Sequence, residues 1–136
     1  MVVTALEVCW PWTPFCHLRI RKRYDDTPGW NSVDNARMWE WYLAGQEYSS
    51  PLERHAEFDL SHIFVEVEEF DCLHDEGVMF YKALSDGCSH AVLLENKGTF
   101  HGYDINFKAD ITRKSVQERI SFLITYSMTG RMDWPQ

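Results

Sequence analysis

Two short stretches hold the residue types that metal or thiol chemistry needs. DCLHDEG, residues 71–77, carries Cys72 and His74, and GCSHA, residues 87–91, carries Cys88 and His90. On a strand, residues i and i+2 face the same way, so each pair could present two ligands together. A tetrahedral Cys₂His₂ zinc needs all four donor atoms within about 2.0–2.3 Å of the ion. The elements read below keep the pairs apart. If residues 74–77 turn the chain, Cys72 lies opposite about Met79; if Asp86-Gly87 is a two-residue turn, His90 lies opposite Ala83. Those positions are about four residues, or roughly 13 Å, apart along the shared strand. The spacing also lacks a Cys-x₂₋₄-Cys half. Neither metal nor other cofactor is expected.

Nucleophilic cysteine is disfavoured on charge. Cys72 sits among Glu69, Asp71, Asp75 and Glu76, a field that opposes a thiolate. Cys88 escapes that field, but nothing near it marks it as reactive. Glu66, Glu68 and Asp71 could serve as paired carboxylates in a hydrolase, although acids on a solvated strand face are the simpler explanation. The chain has no phosphate loop, dinucleotide fingerprint, His-Glu-x-x-His or Gly-x-Ser-x-Gly. A small enzyme using Cys/His or carboxylates is therefore the secondary reading.

The elements that would carry these residues read as one α+β domain over 1–136, an antiparallel sheet of about five or six strands with two helices on it. Residues 3–9 and 15–24 alternate as strands around a proline-broken WPWTP. A helix over about Val33–Gln46, capped by Asn31 or Ser32, would bury Met38, Trp39, Tyr42 and Leu43. Residues 60–73 read as a strand with Ile63, Val65 and Val67 inward, Phe64, Glu66 and Glu68 outward, and a bulge at Glu68-Glu69. His74–Gly77 reads as a turn, Val78–Leu84 as a strand, Asp86-Gly87 as a hairpin turn, and Ser89–Glu95 as the return strand. Tyr103–Ile111 alternates as a further strand, with Tyr103, Ile105, Phe107, Ala109 and Ile111 inward. Ser115-Val-Gln-Glu118 reads as a capping box opening a helix over about 116–128, with Val116, Ile120, Leu123 and Ile124 buried.

Charge then suggests a role. The formal net charge of −8 is concentrated between Glu57 and Tyr81, where eight acids occur without a Lys or Arg; the remaining 13 acids match all 13 basic residues. Such a field favours a basic protein partner and disfavours nucleic acid or an anionic membrane. The basic stripe Arg19, Arg21, Lys22, Arg23 is followed at once by Asp25 and Asp26, and neighbouring acids would offset it. Four cysteines do not make a disulfide framework, no apolar run could span a bilayer, and the N-terminus lacks a basic n-region, so a cytoplasmic chain is expected.

Six tryptophans and six tyrosines, some beside prolines or in loops, add interface anchors, unless they form a homodimer contact. The combined reading is a non-enzymatic inhibitor. An immunity-type protein would neutralise a basic, nuclease-like toxin through Glu66, Glu68, Glu69, Asp71, Asp75 and Glu76. A phage or plasmid anti-defence protein or DNA mimic is the alternative. The plainest alternative is an acidic strand face that keeps the chain from aggregating and binds nothing.

Overall fold

The computed structural model describes residues 24–45 and 62–129. The strands expected over 3–9 and most of 15–24, the basic stripe, Glu57, Asp59 and Trp10, Trp12 and Trp134 lie outside the described residues. The elements run α1 (Ser32–Leu43), β1 (His62–Glu68), α2 (His74–Ser85), β2 (His90–Asn96), a one-turn 3₁₀ helix (Tyr103–Ile105) and α3 (Asp110–Thr129). No described helix is long and apolar enough to cross a membrane.

β1 and β2 pair in parallel, with His62 opposite His90 and Glu68 opposite Asn96. This corrects the expected antiparallel sheet of five or six strands: the described sheet has two parallel strands with three α-helices. Antiparallel neighbours need only a hairpin, whereas parallel neighbours need a crossover, and α2 is that crossover. The Val78–Leu84 strand is therefore replaced by helix. His74–Gly77 is its first turn, where Asp75 and Glu76 suit the positive end of the helix dipole. Asp86-Gly87 closes a helix rather than a hairpin.

Burial follows from the parallel arrangement, which covers both faces of a strand. Every residue from Ile63 to Glu68 is buried. On one face Ile63, Val65 and Val67 pack with Phe80 and Leu84 of α2. On the other, the Phe64 ring meets Phe122 of α3 at 5.3 Å between centroids. The expected alternation of apolar-in and polar-out along β1 is thus also corrected: Phe64, Glu66 and Glu68 are interior. Glu69 and Phe70 do not bulge; they lie in the turn that leaves the strand.

α1 forms where the sequence indicates. Asn31 caps it by accepting from the Val33 and Asp34 amides at 3.0 and 2.9 Å. Ala44 ends it in a left-handed conformation. Trp39 is buried as expected, but Tyr42 is exposed. The Tyr103–Ile111 strand is not formed: a 3₁₀ turn, a loop and the first two residues of α3 occupy that span, with Ile105 and Phe107 exposed. α3 begins five residues before Ser115, so the capping box sits inside the helix. Its inward stripe is Thr112, Ser115 and Phe122, with Arg119 half-buried among them, while Val116, Ile120, Leu123 and Ile124 face outward.

Phe80→Ala empties the α2–sheet contact and should destabilise the fold by about 3–5 kcal/mol in urea unfolding. Ile105→Ala, at a side chain 83% exposed, should change it by less than about 0.5 kcal/mol.

Candidate active site

Two loops leave the carboxyl ends of the parallel strands side by side. Residues 69–73 follow β1, and residues 97–102 follow β2. Their backbones are tied together: the Phe70 amide donates to the Thr99 carbonyl at 2.9 Å, and the Glu69 amide to the Asn96 carbonyl at 3.1 Å. The Glu69 carboxylate in turn accepts from the Gly98 amide at 2.7 Å. In open sheets with parallel strands, this carboxyl edge is where ligands bind.

The first loop carries Asp71 and the second His101. The His101 Nδ1 lies 2.7 Å from Asp71 Oδ2. Asp71 is almost wholly buried, and its other oxygen accepts the Leu73 amide at 2.9 Å at the start of α2. Both carboxylate oxygens are thus engaged, so the carboxyl plane cannot swing. A carboxylate can only accept, so His101 Nδ1 carries the hydrogen and Nε2 is left as the basic nitrogen. The bond to Asp71 raises the His101 pKa above its ordinary value. Burial works against this, and the charges of Asp71, Glu68 and Asp104 add to it.

Residues 24–31 wall the site. The Trp30 ring lies 5.9 Å from the His101 ring, and its Nε1 donates to Asn35 Oδ1 at 3.1 Å. Gly29 adopts a φ of +78°, and a Cβ there would sit 3.1 Å from the His101 carbonyl oxygen. The positive φ favours glycine, and the close approach leaves little room for a side chain.

A second His–carboxylate contact is differently built. His74 Nδ1 is 2.7 Å from Asp75 Oδ1, but its Nε2 faces Glu95 Oε2 at 3.9 Å. With acids at both nitrogens, His74 has no ring nitrogen directed to a substrate.

Behind His101 lies a buried ionic cluster. Glu66, 1% exposed, receives Arg119 on both oxygens, Nε to Oε2 at 2.6 Å and Nη2 to Oε1 at 2.9 Å. Its Oε1 also accepts from Asn96 Nδ2 and Tyr103 Oη, each at 2.7 Å, and from the Ser115 hydroxyl. Burial alone would raise the Glu66 pKa; the hydrogen bonds from Arg119, Ser115 and Tyr103 outweigh it and hold the carboxyl below its usual value. Arg119 also grips Asp104 at 3.1 Å.

These positions revise the acidic surface read from the sequence. Glu66, Glu68 and Asp71 are interior, and Glu69, Asp75 and Glu76 are half-buried. Glu76, whose Oε2 is buried without a hydrogen-bond partner, is pushed to about 7 by burial and then by Asp75. The two Cys-x-His pairs are also separated. Cys72 packs with Tyr24 and Leu73, whereas Cys88 packs against the α2–sheet cluster, with burial pushing its thiol up. Of the site residues, Asp71 is read from sequence both as a surface acid and, with Glu66 and Glu68, as a possible hydrolase carboxylate, whereas His101 is not singled out at all. The missed signal is positional: once 62–68 and 90–96 are parallel strands, residues 71 and 101 share one edge.

Burial, and next the charges of Asp71 and Glu66, push the Glu68 carboxyl to about 8. The unfolded chain releases this proton near about 4.3. The folded state holds it more tightly, so the group's stability contribution is complete below the unfolded value and is lost as pH rises through the folded one. Glu68→Gln cannot ionise. Thermal unfolding followed from about pH 5 to 9 should show the wild type losing stability toward the alkaline end while the variant holds more of its own.

Comparison with known proteins agrees with this architecture. Residues 3–105 match the family described as alpha/beta hydrolase fold, a span that includes β1, α2, β2, Asp71 and His101. Among solved structures, the chain resembles esterase LipW from Mycobacterium marinum at 20% identity and a TM-score of 0.66, covering 83% of this chain and 36% of that one. It resembles carboxyl esterase 2 from the mycorrhizal fungus Tuber melanosporum at 19% identity and 0.63, covering 93% and 41%. It resembles a bacterial heroin esterase at 23% identity and 0.59, covering 77% and 36%. The chain thus spans well under half the length of these structures. No curated protein matches it. The expectations of an immunity-type toxin inhibitor and of an anti-defence DNA mimic are overturned by the family match: the chain belongs to the alpha/beta hydrolase fold family.

Proposed function

We propose that this chain contributes the proton-transferring half of an ester-hydrolysing site. The observation that carries the reading is the His101–Asp71 pair, 2.7 Å apart at the carboxyl edge of the parallel strands, with Asp71 buried. In hydrolases of this fold the triad runs Ser…Asp/Glu…His along the chain, and Asp71 before His101 has the order of its last two members. The names of the three solved structures support esters as the substrate class.

The roles follow from the geometry. His101 Nε2 takes the proton of an attacking hydroxyl as its oxygen adds to the ester carbonyl carbon. The same nitrogen hands that proton to the departing alkoxide as the acyl–oxygen bond breaks. The Asp71 carboxylate fixes the tautomer through Nδ1 and stabilises the imidazolium that forms between the two transfers. No Gly-x-Ser-x-Gly marks the attacking hydroxyl in this sequence. In the Ser…Asp…His order it would precede Asp71.

Activated esters test this even where imidazole acts on water or on the ester directly. Hydrolysis of p-nitrophenyl acetate above the buffer rate should fall about a hundredfold in His101→Ala and remain unchanged in His90→Ala. A His101→Ala protein that is folded and hydrolyses the ester as fast as wild type would sink the reading.

A further inference from the structure

The Glu66 cluster does more than satisfy a buried charge. His101 stands on a loop that is tied to its surroundings on both sides. On the leading side, Phe70 and Glu69 hold Thr99 and Gly98 at 2.9 and 2.7 Å. On the trailing side, Gly102 takes a φ of +75° and opens the 3₁₀ turn. The next two residues are then gripped. Tyr103 donates its hydroxyl to Glu66 at 2.7 Å and is hydrogen-bonded to Asn96 Nδ2 at 2.9 Å. Asp104 accepts from Arg119 Nη1 and Nη2 at 3.1 and 3.2 Å. Arg119 is itself fixed on Glu66.

We propose that Glu66 and Arg119 are positioning residues for His101: they clamp Tyr103 and Asp104, and thereby set the His101 ring in hydrogen-bonding reach of Asp71. The proposal rests on the reading of His101 and Asp71 as the proton-transferring pair. Its physical basis is that the clamp joins three elements that each bear on the loop. Glu66 lies in β1, Arg119 in α3, and Tyr103 only two residues beyond His101. A rigid carboxylate with five donors around it cannot shift to follow a wandering loop, so the loop must hold to it. Misplacing a reacting group by about 1 Å costs up to about a hundredfold in rate.

Charged groups facing His101 come from each packed element. Asp71 and Glu68 come from the end of β1 and the loop after it, and Asp104 comes from the 3₁₀ turn with Arg119 of α3 against it. Trp30 contributes an uncharged ring from the remaining side.

Tyr103→Phe is the mild test, because Glu66 keeps Arg119, Asn96 and Ser115. Glu66→Gln is the severe one. The readout is the His101 imidazole titration followed by NMR, beside kcat and KM for p-nitrophenyl acetate. A positioning role predicts that Tyr103→Phe moves the His101 titration downward, toward its ordinary value, as the bond to Asp71 loosens. It also predicts that kcat falls about tenfold with KM held, in addition to the loss of Tm that removing a buried hydrogen bond to a carboxylate brings. A Tyr103→Phe protein that loses Tm but keeps the wild-type His101 titration and kcat overturns the clamp and leaves the His101–Asp71 pair standing. A folded His101→Ala protein that hydrolyses the ester as fast as wild type overturns the pair, and the clamp with it.

Discussion

A carboxylate buried in the middle of a strand is the constraint from which most of this structure follows. Glu66 occupies the place on β1 where a parallel strand would ordinarily carry a valine or isoleucine. A lone charge there would be prohibitive, and pairing it with one cation would still leave lone pairs unmet. The surrounding chain meets that demand completely, with Arg119, Ser115, Tyr103 and Asn96 converging on two oxygens. α3 is consequently rotated to present Ser115 and Arg119 to the sheet, and its apolar residues Val116, Ile120 and Leu123 turn away.

The same constraint explains much of what could and could not be read along the sequence. α1 was legible because its start is local chemistry: Asn31 caps whatever helix follows it. The strands 62–68 and 90–96 were legible as strands from their composition. Their relative direction was not, because parallel pairing is decided by the connection between them. Val78–Leu84 is rich in residues that suit strands, and only the spacing of Gly77, Phe80 and Leu84 with the acids at 75 and 76 marks it as helix. Ser115 and Glu118 match a capping box by type, but the Ser115 hydroxyl is committed to Glu66 some fifty residues away. No local pattern can announce a partner at that distance.

The candidate site was half visible. The sequence marks an acidic window, and among its described acids Glu66, Glu69 and Asp71 are engaged with an arginine, an amide and a histidine rather than displayed. Composition reports that acids are concentrated; it does not report which way they point. His101 had no motif around it, only a glycine on its C-terminal side. Its meaning comes from Asp71, and the two meet only when the carboxyl ends of β1 and β2 are laid side by side.

The approach of residue 29 to His101 has a consequence for how such a site can change over generations. On that side the histidine's own main chain is met by main chain: Gly29, in a left-handed turn, lies against the His101 carbonyl oxygen, beside the Phe100 ring. A wall built of side chains can be enlarged, narrowed or recharged by single substitutions. One built of backbone offers no such adjustment, since the peptide group is the same whatever the gene encodes. The freedom to evolve a new substrate preference must then lie on other walls, while this one stays as a fixed datum against which the base is set.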